Sequence, residues 1–68
     1  MNLDIYSRCK HVACIVLQNS NADGYNAAEP WLLLHNTGRV DRFRYVREAR
    51  AEAVKTYPSV RFNRQRYA

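Results

Sequence analysis

The sequence predicts an α+β domain: an antiparallel sheet of three to four strands with one helix packed on one face, in the order β-β-β-α-β. Three observations predict it. Residues 12–17 (VACIVL) and 31–35 (WLLLH) are unbroken apolar runs of strand length. Residues 40–46 (VDRFRYV) alternate with period two. Residues 47–57 (REARAEAVKTY) combine good helix formers with an apolar stripe. The 68 residues make one domain, 1–68. A chain so short buries only about 60% of the surface its unfolded form exposes.

The first run, VACIVL, reads as a strand buried on both faces, because it lacks any polar alternation, with a helix segment as the alternative. Upstream, Leu3-Asp4-Ile5-Tyr6 alternates and adds a short strand or extends this one. Residues 18–30 (QNSNADGYNAAEP) are turn chemistry, rich in Asn, Asp-Gly and Pro. Such a long connection inside a small domain is a contact element or a solvated spacer. WLLLH is the second apolar strand, with Trp31 in the core, and Asn36-Thr37-Gly38 turns the chain. In 40–46, Asp41, Phe43 and Tyr45 point one way, and Phe43 and Tyr45 face the core. Arg42 and Arg44 stand on the opposite, wet face.

In the helix, Val46, Ala49, Ala53, Val54 and Tyr57 form the stripe laid on the sheet. Glu52 and Lys55 are spaced to pair. Pro58 biases Tyr57 out of the helical region and ends the element. Residues 60–67 (VRFNRQRY) start with Val60 and Phe62 inward, but the next inward positions are Arg64 and Arg66. The last strand therefore runs to a sheet edge, where arginines guard against unwanted pairing.

Charge is the strongest functional signal. Residues 39–68 hold Arg39, Arg42, Arg44, Arg47, Arg50, Lys55, Arg61, Arg64 and Arg66 against Asp41, Glu48 and Glu52. The first 38 residues carry a slight negative excess, and the whole chain is +5. One strongly positive surface is expected, which implies an acidic partner. The cations are nearly all arginine, the residue suited to bidentate contacts with phosphate or carboxylate.

Other chemistry is sparse. Cys9 and Cys14 are spaced unlike a zinc knuckle, and no metal or cofactor is expected. Within one extended strand their side chains point to opposite faces, so reduced thiols are expected. No apolar run reaches the ~20 residues of a membrane span. The start, MNLDIYSRCK, has no apolar signal segment, so a host bacterial cytoplasmic location is expected.

Three resemblances bear on function. The segment PWLLLHNTGR resembles the strand–His–turn of small HicA-type toxin ribonucleases, which would make His35 a base acting on RNA. That family's N-terminal helix has no counterpart here, and no enzymatic role is expected. Gly38, Phe43, Glu48-Ala49 and Ala53 resemble the pattern of three-stranded DNA-binding domains of the AP2 and phage-integrase arm-binding type. That likeness covers about a third of the chain and implies that Arg42 and Arg44 face DNA, with Arg39 near the turn. The tail from Phe43 to Tyr67, strand–helix–proline–strand, is similar in architecture to small phage inhibitor proteins. Those include anti-CRISPR proteins and inhibitors of host RNA polymerase.

The last resemblance implies a non-enzymatic inhibitor that occludes a nucleic-acid-handling complex. Its partner would be the acidic surface of a bacterial nucleoprotein complex of CRISPR-effector or RNA-polymerase type. That class shares no binding motif, so contact residues come from chemistry alone. They are Arg39, Arg42, Arg44, Arg47, Arg50, Arg61 and Arg64, with Tyr25 and Tyr67 as aromatic anchors. Direct nucleic-acid binding is the alternative, and a homodimer is compatible with so small a core.

Overall fold

A computed structural model of the chain describes residues 2–21 and 23–64. The predicted α+β architecture is present: one antiparallel sheet with one helix on one face. The sheet has five strands: β1 (Asn2–Ser7), β2 (Lys10–Leu17), β3 (Trp31–His35), β4 (Val40–Phe43) and β5 (Val60–Arg64). The helix α1 (Val46–Thr56) lies between β4 and β5 in sequence. Strand order is β4-β3-β2-β1-β5. Strands β1 to β4 meander, and α1 then carries the chain back across the sheet to set β5 beside β1.

The Leu3–Tyr6 stretch forms a strand of its own, which raises the count to five. It is separated from β2 by a two-residue turn at Arg8 and Cys9, both with positive φ (52° and 64°). Such a turn matches the twist of a hairpin, but Gly, Asn or Asp usually supplies it. The β3–β4 turn has the usual glycine: Gly38, at φ 98°, donates its N–H to the His35 carbonyl.

The core lies between α1 and one sheet face. Ile5, Ile15 and Leu33 are fully buried there, on β1, β2 and β3; Ile15 lies between Leu3 and Leu33, and Ile5 beside Ala13. Ala49 and Ala53 of α1 close over them, and their small side chains allow a close approach. Trp31, Phe43, Val46, Tyr57, Val60 and Phe62 pack around this centre. Val54 is not part of the stripe: it is 61% exposed, because one residue past Ala53 rotates it about 100° off the sheet. Tyr45 also departs from expectation. Strand β4 ends at Phe43, and Tyr45 becomes the extended N-cap residue of α1, largely exposed.

The helix ends where the proline requires. Tyr57 is extended, and its N–H still reaches the Ala53 carbonyl at 2.9 Å. At the other end, the Glu48 carboxylate accepts the Tyr45 N–H at 3.1 Å, half of a capping box. Glu52 accepts a hydrogen bond from the Thr56 hydroxyl, in place of the expected pairing with Lys55. No helix among the described residues is long and apolar enough to cross a membrane.

Candidate functional site: the open sheet face and its arginine border

Alternation in the strands divides the side chains between two faces. The odd-numbered positions Leu3, Ile5, Ala13, Ile15 and Leu33 go under α1. Their neighbours go to the opposite face, which no element among the described residues covers. Across it run Asp4 beside Cys14, Cys14 beside Leu34, Val16 beside Leu32, Leu34 beside Val40, and Leu32 beside Arg42. On the other side Tyr6 pairs with Arg61 and Asp4 with Asn63. Cys14, Val16, Leu32 and Leu34 are half-buried, and Val40 is 52% exposed. The sequence reading placed the VACIVL run inside, covered on both faces. The structure corrects this, because the one helix among the described residues covers one face only.

This open face has an aliphatic centre and a polar border. Arg42 stands at the β4 edge and Arg61 at the β5 edge, separated by four strand spacings, about 19 Å. Between them, Asp4 and His11 pair at 3.1 Å, the His11 ring meets the edge of Tyr6, and the Asn36 amide donates to the His11 carbonyl at 2.8 Å. Burial, with the Asp4 carboxylate nearby, pushes the Cys14 thiol above its ordinary value. Cys14 is therefore a protonated, weakly nucleophilic thiol at neutral pH.

The predicted arginines do not gather on one face. Arg39 sits in the β3–β4 turn and pairs with Asp41 at 3.2 Å. Arg42 donates to the Gln18 side chain at 3.0 Å and approaches the Gly24 carbonyl at 3.5 Å, so it also ties down the 18–30 loop. Tyr25 lies in that loop, next to the tied glycine, at the margin of exposure. Arg42 and Arg44 line a cleft of about 470 Å³ with Ala28, Glu29, Phe43, Tyr45 and Glu48. Arg47 lies over the Tyr45 ring at 4.3 Å. Arg50 lies over Phe62 of β5 at 4.8 Å. Arg61 and Arg64 belong to β5, paired with Tyr6 and Leu3 respectively. Tyr67 lies outside the described residues.

The arrangement therefore has one cationic cluster, Arg42–Arg44–Arg47, at the β4 end. At the far side of the sheet, β5 carries Arg61 on the open face, while Arg50 lies over Phe62 on the face that α1 covers. The reason is topological: the helix that separates β4 from β5 in sequence delivers β5 to the far side of the sheet. Residues that the sequence reading missed as contacts are the even-numbered aliphatics, Cys14, Val16, Leu32 and Leu34. Their signal was present in the two unbroken apolar runs, which exceed what a single helix can cover.

His35 is not at the surface. Its side chain is almost fully buried beneath the end of α1. With Asp41 ionised, Nε2 carries the proton and donates to Asp41 at 2.9 Å, and Nδ1 accepts the Tyr57 hydroxyl. Tyr57, His35 and Asp41 have the connectivity of a nucleophile, base and orienting group. The chain of bonds nevertheless joins α1, β3 and β4 at the end of the sheet opposite the cleft. These bonds pin the helix, with the Ser7 hydroxyl donating to the Pro58 carbonyl just beyond. Among the described residues no cluster of three His, Cys, Asp or Glu side chains is placed to hold a metal ion.

This pin gives two expected results. Tyr57→Phe leaves Nδ1 as a buried acceptor without a donor, a loss of about 1–3 kcal/mol, measurable by urea titration. The His35 hydrogen bond and the Arg39 guanidinium hold the Asp41 carboxyl below the usual carboxylate range, outweighing the opposing effect of partial burial. A lowered folded-state value stabilises the fold above the unfolded value, and that contribution is lost as pH falls through the folded one. Thermal melts between pH 6 and pH 3 should therefore drop further for the native chain than for Asp41→Asn.

Compared with protein-family models, curated proteins and solved structures, the chain has no match.

Proposed function

We propose that this chain is a small non-enzymatic binding protein that docks the open face of its sheet on a larger protein and excludes that protein's normal ligand. The observation that carries this reading is the pattern of the open face. Val16, Leu32, Leu34 and Cys14 make an apolar centre, and Arg42 and Arg61 stand at its two edges. An apolar centre inside a charged rim is the usual anatomy of a protein interface. Arginine at the rim calls for carboxylates on the partner. The proposed target is the acidic surface of a bacterial nucleoprotein complex. The mechanism is steric occlusion, as in the phage inhibitors that the tail resembles.

Direct binding of DNA or RNA is the second reading, favoured by the +5 charge and the preponderance of arginine. Sheets that bind single strands stack bases on aromatic side chains. The centre of this face is aliphatic, with Tyr6 to one side, which favours the protein partner.

The test is charge reversal at both borders. Arg42→Glu with Arg44→Glu should weaken partner binding by more than about tenfold while the fold survives. Because Arg42 also holds the loop, Arg61→Glu at the opposite border serves as the independent variant and should weaken binding too. Unchanged affinity in both would sink the proposal. If nucleic acid is the ligand, affinity falls steeply with salt instead, with a log–log slope of about −0.9 per phosphate neutralised on duplex DNA.

A further inference from the structure

Among the described residues, the outer edge of β4 has no neighbouring strand. In the β2–β3 ladder the Asn36 N–H donates to the Val12 carbonyl at 3.0 Å, and the Gln18 N–H to the Pro30 carbonyl at 2.9 Å. Antiparallel bonding alternates, so the even-numbered residues of β3 turn their main-chain groups toward β2. The odd-numbered ones turn toward β4, as the His35 N–H bond to the Arg39 carbonyl at 2.9 Å shows. Val40 and Arg42 are partners of Leu34 and Leu32. They are therefore the non-bonded positions of the β3–β4 ladder. Their N–H and C=O groups point off the sheet, and β4 is the outermost strand.

The cleft of about 470 Å³ continues along this edge. Arg42, Phe43 and Arg44 line it together with Glu29 of the loop, Tyr45 and Glu48. The Glu48 carboxylate is already engaged by the Tyr45 N–H. Arg44 is exposed and has no carboxylate within ion-pair distance among the described residues. A second copy of β4 laid on this edge would set arginine near arginine, which is unfavourable. An acidic segment meets no such cost.

We propose that the β4 edge takes one extended segment of the partner protein as an added strand. That segment carries carboxylates at two positions two residues apart, set against Arg42 and Arg44. The proposal rests on the protein-binding reading above and names the partner's local chemistry. Main-chain bonds to Val40 and Arg42 supply affinity, and the two carboxylates supply selectivity, as in other strand-addition complexes.

The test is amide hydrogen exchange on the full chain with a short synthetic peptide. The peptide alternates valine and threonine and carries two glutamates two residues apart. At saturation, exchange of the Val40 and Arg42 amides should slow by about tenfold or more, whereas the Asp41 amide, already bonded to β3, should not change. Arg44→Glu should weaken the peptide by about fivefold. Absence of protection at Val40 and Arg42, or equal binding by a peptide of the same charge interrupted by proline, overturns the proposal. Val16→Glu, on β2 and separated from β4 by β3, separates the two ideas. It disables the open face and should leave the peptide's amide protection intact. If it abolishes partner binding while the peptide protects nothing, only the edge proposal fails.

Discussion

Leu34→Glu is expected to abolish partner binding, by more than about a hundredfold, while the fold persists. Leu34 lies at the middle of the open face, between Cys14 on β2 and Val40 on β4. Its side chain is half-buried in the free chain, so a glutamate there still reaches water. In a docked complex the same carboxylate is enclosed by apolar groups. Burying an unpaired charge costs several kcal/mol, and each 1.4 kcal/mol is tenfold in affinity. Circular dichroism and a melt within a few degrees of the native chain would show the fold intact. Partner binding at native strength in a folded Leu34→Glu chain would mean the face is simply a solvated surface.

Ile15→Ala should have the largest effect on stability. Ile15 is fully buried at the centre of the sheet, between Leu3 on β1 and Leu33 on β3, beneath α1. Truncating such a side chain costs about 2–5 kcal/mol through lost burial and the cavity left behind. A domain of this length holds only about 3–10 kcal/mol in total. The variant is therefore expected to be partly unfolded at room temperature, read by urea titration with tryptophan fluorescence from Trp31. Val16→Ala, one residue along but on the open face, should cost much less. Equal losses at the two positions would mean that the open face is as enclosed as the core.

The contrast between Ile15 and Val16 also marks what the sequence could disclose. The helix was legible because Ala, Glu and Arg fill it and Pro58 ends it, and its observed span differs by one residue at each end. Strands β2 and β3 were legible as aliphatic runs, and β4 by alternation. The turn that makes β1 separate was not, because Arg8 and Cys9 adopt positive φ without a residue type that announces it. An unbroken apolar run ordinarily means burial on both faces. Nothing local in VACIVL distinguishes an inward Ile15 from an outward Val16. Only the count of layers does so: one helix covers one face.

The site was legible as chemistry and not as geometry. Charge identified the arginines, but their grouping depends on β4 and β5 lying at opposite edges, a property of topology. Arg42 was read as a contact and is also a loop anchor through Gln18. His35, noted in the sequence only within the strand–His–turn segment PWLLLHNTGR, is the buried link between Tyr57 and Asp41. That triple is invisible in sequence because its members come from three elements that only the fold brings together.

The most direct measurement is a pull-down of the tagged chain from bacterial lysate, treated with nuclease, run beside folded Leu34→Glu and Arg61→Glu variants. Docking through the open face predicts a protein partner that survives nuclease with the native chain and disappears with both variants. Capture that vanishes with nuclease, or a partner retained equally by both variants, would contradict it.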